Sequence, residues 1–184
     1  MNTLKTMLMA LALIAAPAAI RAQAPTEAPA ATVTDLDQKY ATDLLKAGTD
    51  APDITLNTID GKPFALKDLR GRYVVLDFWA SWCGPCRAEM PHVKAAYDKY
   101  KSKGFNVVGL SFDNKLENWK KAIAEMQLDW VHLSDLKGWQ SVAGQVYGIR
   151  SIPASYLVDP TGKIIAADLR GEQLEAKLRE IYGE

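Results

Sequence analysis

Apolar residues gather in short stretches separated by polar turns, and the spacing within each stretch names its conformation. Residues 74–79 (Val-Val-Leu-Asp-Phe-Trp), 107–112, 130–133 and 155–158 are short and dominated by apolar side chains, as strands buried on both faces are. Between them the apolar residues recur every three or four positions. Met90, Val93, Tyr97 and Tyr100 mark one helix over 86–102, with Pro91 inside it as an expected kink and Gly104 as its end. Leu116, Trp119, Ile123 and Met126 mark a second, and Trp139, Val142 and Val146 a third that Gly148 closes. Leu174, Leu178 and Ile181 mark the last.

Residues 54–58 and 64–66, joined through Asp60-Gly61, form an expected hairpin. Residues 155–158 turn at Asp159-Pro160-Thr161-Gly162 into a strand over 163–169. The order of elements predicts an α/β domain: a central mixed β-sheet flanked by helices, with an N-terminal β-hairpin and an inserted αβ unit near 114–138.

The start of the chain follows a different pattern. Lys5, ten apolar residues over 7–16 and the small residues after Pro17 predict a cleaved secretory signal over 1–22. The apolar run is shorter than the roughly 20 residues a spanning helix needs, which weakens the alternative of an uncleaved anchor. The Ala/Pro/Thr-rich residues 23–34 are expected to be a disordered linker. Leu36, Tyr40 and Leu44 predict a short helix over 35–47, capped by Thr34 or Asp35 and ended by Gly48, before a domain over 48–184.

Composition narrows the chemistry. The 184 residues carry 22 basic and 22 acidic side chains. Without the leader's Lys5 and Arg21, 20 basic residues face 22 acidic ones, a net of −2. No basic stripe is available for nucleic acid. The two cysteines, Cys83 and Cys86, are too few for a disulfide scaffold. They stand where the strand 74–79 gives way to a helix, with Pro85 in the first turn, where its missing N–H does no harm. Three residues are about one helical turn, so both sulfurs face the same way. The free N–H groups of a helix start favour a thiolate at Cys83, and Cys86 can close a disulfide onto it. A zinc site would need His92 and His132 to complete the ligands, but these lie six residues beyond Cys86 and forty further on, which is not zinc-finger spacing. No metal is expected.

Trp82-Cys83-Gly84-Pro85-Cys86 resembles the thioredoxin active site. Asp77 is similar in position to that family's buried aspartate, and 147–153 (Tyr-Gly-Ile-Arg-Ser-Ile-Pro) to its cis-proline loop. The segments 48–53 and 86–91, and the inserted unit, are closer to the exported TlpA/ResA-type branch. The resemblance implies a thioredoxin-like fold and a thiol–disulfide oxidoreductase of the bacterial envelope. Cys83 would be the nucleophile, Cys86 the resolving thiol and Asp77 the proton acceptor and donor for Cys86. Trp82, Pro85, Ile152 and Pro153 would bind the partner, the Ile152 backbone pairing with an extended peptide. The position after the proline, commonly Thr or Val in the family, is Ala154.

Glu89 matches a residue of the TlpA-like branch; it either tunes the site or stabilises the first helical turn. Trp79 is expected in the core and Arg150 on the surface. No cofactor is implied beyond a redox-active Cys83–Cys86 disulfide. The implied partners are envelope protein thiols and disulfides, cytochrome c maturation among the candidate uses, with a membrane thiol-reductant as donor. No dimerisation segment is evident, so a monomer in the periplasm is expected. Two alternatives compete. A peroxiredoxin-type peroxidase normally has Thr three residues before its cysteine, where this chain has Ala80. A non-catalytic partner-binding module would use the apolar lip alone.

Overall fold

The six residues Val74–Trp79 form strand β3, and all six are buried, which requires a sheet covered on both faces. They do so in a computed structural model that describes residues 44–184. The expected leader, the linker and residues 35–43 of the expected short helix lie outside the described residues. Residues 44–47 form a bend and a turn rather than the end of that helix.

β3 pairs in parallel with β4 (Asn106–Ser111) and antiparallel with β6 (Ala154–Val158). β4 pairs in parallel with β5 (Val131–Ser134), and β5 is bordered antiparallel by β1 (Thr55–Thr58). The hairpin of β1 with β2 (Pro63–Ala65) closes one edge, and β7 (Ile164–Ala167) closes the other against β6. The result is a seven-stranded mixed sheet in the order β2-β1-β5-β4-β3-β6-β7. Parallel neighbours need a crossover, and the chain supplies one each time. Helix α1 (Gly84–Tyr100) joins β3 to β4, and α2 (Leu116–Met126) joins β4 to β5. The inserted unit is thus α2 with β5, and it separates the hairpin from β4.

Alternation along β3 divides its side chains between two cores. Phe78 meets Phe112, Tyr147 and Tyr156 at ring-centre distances of 6.4, 5.4 and 6.0 Å. Trp79 points the other way, edge-on to His132 at 5.7 Å, and His132 stacks on Trp130 at 5.6 Å. Trp130 in turn meets Tyr97 of α1 at 5.4 Å. The expected burial of Trp79 is observed in full.

Helix α1 begins two residues earlier than the apolar spacing implied, runs unbroken across Pro91 and passes into a tight turn over Lys101–Lys103. Gly104 then takes φ 90°, a left-handed conformation that favours glycine. Because α1 starts at Gly84, Glu89 is not a first-turn residue, and the helix-start explanation for it fails.

The third helical expectation is corrected more deeply. Trp139 lies in a separate turn (Gly138–Gln140), and α3 is only Val142–Val146. Extended backbone at Ser141 (φ −56°, ψ 135°) divides the two. The buried residues are Ala143, Gly144 and Tyr147, while Trp139, Val142 and Val146 are exposed. A Cβ at Gly144 would sit 2.7 Å from the Phe112 ring, so it is the missing side chain that lets α3 approach the core. Helix α4 (Glu172–Tyr182) buries Leu174 and Leu178 as expected, and stacks Tyr182 on Tyr100 of α1 at 5.1 Å.

Candidate active site at the end of strand β3

β3 runs out at Trp79, whose carbonyl still accepts the Phe112 N–H at 2.8 Å. The turn that follows is held from the neighbouring strand. Asp113, just beyond β4, accepts the Ser81 N–H at 2.9 Å, the Ser81 hydroxyl at 2.5 Å and the Ser111 hydroxyl at 2.8 Å. Its own N–H donates to Ser111 Oγ at 2.9 Å. A wholly buried carboxylate with three donors is well satisfied, and these bonds fix the backbone one residue before Trp82.

Cys83 is the N-cap of α1, and its Sγ accepts the Cys86 N–H at 3.1 Å. Pro85 stands in the first turn, where no intrahelical N–H is needed. The two cysteines are joined as a disulfide with Cα atoms 5.3 Å apart. Cys83 is 5 % exposed and Cys86 0 %. The helix start thus places Cys83 on an open cleft, nearly buried, and encloses Cys86 completely behind it.

A second loop meets the disulfide from above. The Ile152–Pro153 peptide is cis, and the Ile152 carbonyl oxygen lies 3.8 Å from Cys83 Sγ. The loop is tied back by Arg170, whose guanidinium donates to the Pro153 carbonyl and to Asp168 Oδ1. Asp168 also accepts the Ser155 N–H at 3.1 Å, anchoring the start of β6.

Asp77 lies on β3, 4 % exposed, and its Oδ2 has no hydrogen-bond partner. Burial pushes its carboxyl up from the usual 3.8 to about 7; the Arg170 charge opposes this and the Glu89 charge adds to it. Glu89 is itself held by the Gly171 N–H, which donates to Oε1 at 2.6 Å. A group that changes charge near neutrality, beside two fixed charges, is suited to proton transfer.

The surface over Cys83 is a cleft of about 430 Å³ bordered by Trp82, Pro85, Trp139, Arg150, Ser151 and Ile152. Trp82 is 54 % exposed and Trp139 50 %, with ring centres 6.3 Å apart. All the residues singled out in the sequence for partner binding except Pro153 border this cleft; Pro153 is the next residue of the loop. The apolar spacing assigned Trp139 to a core face, and only the Gly138-Trp139 turn hinted otherwise. Asp113 gave no local signal, because the serine it holds is 32 residues away.

His132 is buried between Trp79 and Trp130, and burial pushes it down to about 4, so it stays neutral. His92 is exposed on α1. Among the described residues no group of three or more His, Cys, Asp or Glu is placed to hold a metal ion. Nor is any helix among them long and apolar enough to cross a membrane.

Comparison with known proteins bears on this geometry. The profile of the AhpC/TSA family matches residues 47–167. The thiol-disulfide oxidoreductase ResA of Bacillus thuringiensis subsp. konkukian is 35 % identical over 136 residues, covering 74 % of this chain and 76 % of that protein. The crystal structure of the thioredoxin domain of a thiol-disulfide oxidoreductase from Bacteroides vulgatus superposes with a TM-score of 0.70 at 38 % identity, over 74 % of this chain and 98 % of that one. The solution structure of a thiol:disulfide interchange protein from Bacteroides sp. gives 0.69 at 36 % identity, over 76 % and 92 %.

Proposed function

The chain belongs to the AhpC/TSA family and is a thioredoxin-fold thiol–disulfide oxidoreductase similar to ResA, and from that premise we propose that it reduces disulfides in partner proteins of the bacterial envelope. The observation that carries this reading is the seat of Cys83 Sγ at the N-cap of α1, bordering the cleft, with Cys86 enclosed behind it.

In the reduced chain, the helix start and the Cys86 N–H stabilise a Cys83 thiolate, as such positions lower thiol pKa values to roughly 3.5–7.5. The thiolate attacks one sulfur of a partner disulfide. A Cys83–partner bond forms, the partner's S–S bond breaks, and the other partner sulfur leaves as a thiolate that takes up a proton. Asp77 accepts the proton of the Cys86 thiol. The Cys86 thiolate attacks Cys83 Sγ, the internal disulfide closes, and the second partner sulfur leaves. Two electrons have passed to the partner, and two thiols from a donor restore the chain.

The Gly-Pro pair between the cysteines resembles reducing members of the fold, and an envelope reductase draws its electrons from a membrane thiol donor. The leader pattern over 1–22 supports export and a periplasmic site of action. ResA similarity favours apocytochrome c cysteines as one substrate class. Ile152 and Pro153 align the incoming segment, and Trp82 and Pro85 form its apolar lip. No separate cofactor enters this cycle. Ala80 is wholly buried and lacks the hydroxyl a peroxidase would use three residues before its cysteine, so the peroxidase alternative is not favoured.

The test is trapping. Wild-type chain with dithiothreitol should reduce insulin and leave peroxide unconsumed. The Cys86→Ser variant should accumulate a one-to-one mixed disulfide on Cys83, and Cys83→Ser none. Failure of Cys86→Ser to hold any partner would overturn the reading.

A further inference from the structure

Trp139 has no part in the exchange chemistry, yet it is half exposed beside the reactive sulfur. Its ring meets Phe112 edge-on at 5.0 Å, and Phe112 is buried under Gly144 and against Phe78. Trp139 is therefore mounted on rigid core while its outer surface faces water. On one side it borders the cleft over Cys83; on the other it borders a second hollow of about 180 Å³ beside Gly144, Gln145, Gly148 and Ile149. Val142 and Val146 of α3 extend the exposed apolar surface. Fixed, solvent-facing tryptophans of this kind are enriched among residues that dominate binding energy, because little conformational freedom remains to be lost.

The reaction itself decides what must enter the cleft: a cysteine of the partner, bonded for a time to Cys83, with its neighbouring residues on either side. Trp82 and Trp139 meet each other in tilted ring contact, centres 6.3 Å apart, and together border the cleft with one apolar surface. An aromatic neighbour of the partner cysteine would meet two indoles there.

We propose that Trp139 is a specificity-determining residue which, with Trp82, seats an aromatic side chain adjacent to the partner's cysteine. The proposal rests on the disulfide-reductase reading and narrows its substrate class to segments with an aromatic residue beside the cysteine.

The probes are cyclic disulfide peptides differing only in Phe or Ala beside the first cysteine. For wild-type chain, kcat/KM should be about tenfold higher for Phe than for Ala, the scale of one aromatic seat. Trp139→Ala should bring the Phe/Ala ratio to near one, and Trp139→Phe should restore most of it. The ratio is insensitive to a uniform loss of folded protein. A second reading needs no Trp139 variant. In a nitrogen-15-labelled Cys86→Ser chain, forming the mixed disulfide with the Phe peptide should shift the indole N–H signals of Trp82 and Trp139 and leave that of buried Trp119 in place. An unchanged ratio in Trp139→Ala, or an unmoved Trp139 signal in the adduct, overturns the proposal. Absence of reduction and of adduct with every peptide would instead overturn the reductase reading beneath it.

Discussion

Asp77 on β3 and Asp113 just beyond the neighbouring β4 are both buried carboxylates, yet their surroundings are opposite. Asp113, 1 % exposed, receives three hydrogen bonds from Ser81 and Ser111. Asp77 is 4 % exposed and leaves Oδ2 unpartnered. A satisfied carboxylate works as structure: it fixes the turn that presents Cys83. An unsatisfied one is held near the point of losing its proton, at a cost to the folded state. In the proposed exchange, two copies of the same side chain thus divide the work, one setting position and the other protonation.

The contrast is sharpest in stability. The folded-state value of Asp77, about 7, stands above its usual 3.8. Its favourable contribution is therefore complete below about pH 3.8 and is lost as pH rises to about 7. Asp77→Asn, always neutral, should be more stable than wild type by up to ~4 kcal/mol at pH 8 and no more stable at pH 4. Urea unfolding of the oxidised proteins at both pH values measures this, and an equal difference at both would break the comparison. His132 acts in the opposite sense: held neutral down to about pH 4, it adds stability that is full above 6.5 and is lost as pH falls. With Asp77 neutralised, stability should accordingly rise with pH between about 4 and 6.5.

Asp113→Ala should move the other way. Removing one acceptor strands the Ser81 N–H and two hydroxyls, a loss of about 3 kcal/mol. The same urea series at pH 8 should show that loss. The smallest expected effect is kinetic. Asp77→Asn should slow insulin reduction at pH 7 by about tenfold and flatten its pH profile near neutrality. Asp113→Ala should keep the profile's shape, and a flattened profile in that variant would dissolve the division of labour.

The sequence made β3 and α2 legible because both satisfy one constraint at a time: burial on both faces for Val74–Trp79, a single apolar stripe for Leu116–Met126. The cysteines and the proline loop were legible through resemblance. Trp139 was not, because spacing reports that a residue is apolar and says nothing of whether it faces core or solvent. The bare Gly144 makes room for the Phe112 ring against α3, and Trp139 packs edge-on to that ring. Asp113 was not legible either, since its partners Ser81 and Ser111 come together only through the parallel pairing of β3 with β4.

The complete enclosure of Cys86 has a kinetic consequence. Whatever captures the chain must do so through its neighbour, in an encounter whose rate scales with concentration. Escape depends on an atom tethered three residues away, so it proceeds at the same rate in a dilute compartment or a crowded one. Arrival is set by the environment and the breaking of the covalent link by the backbone.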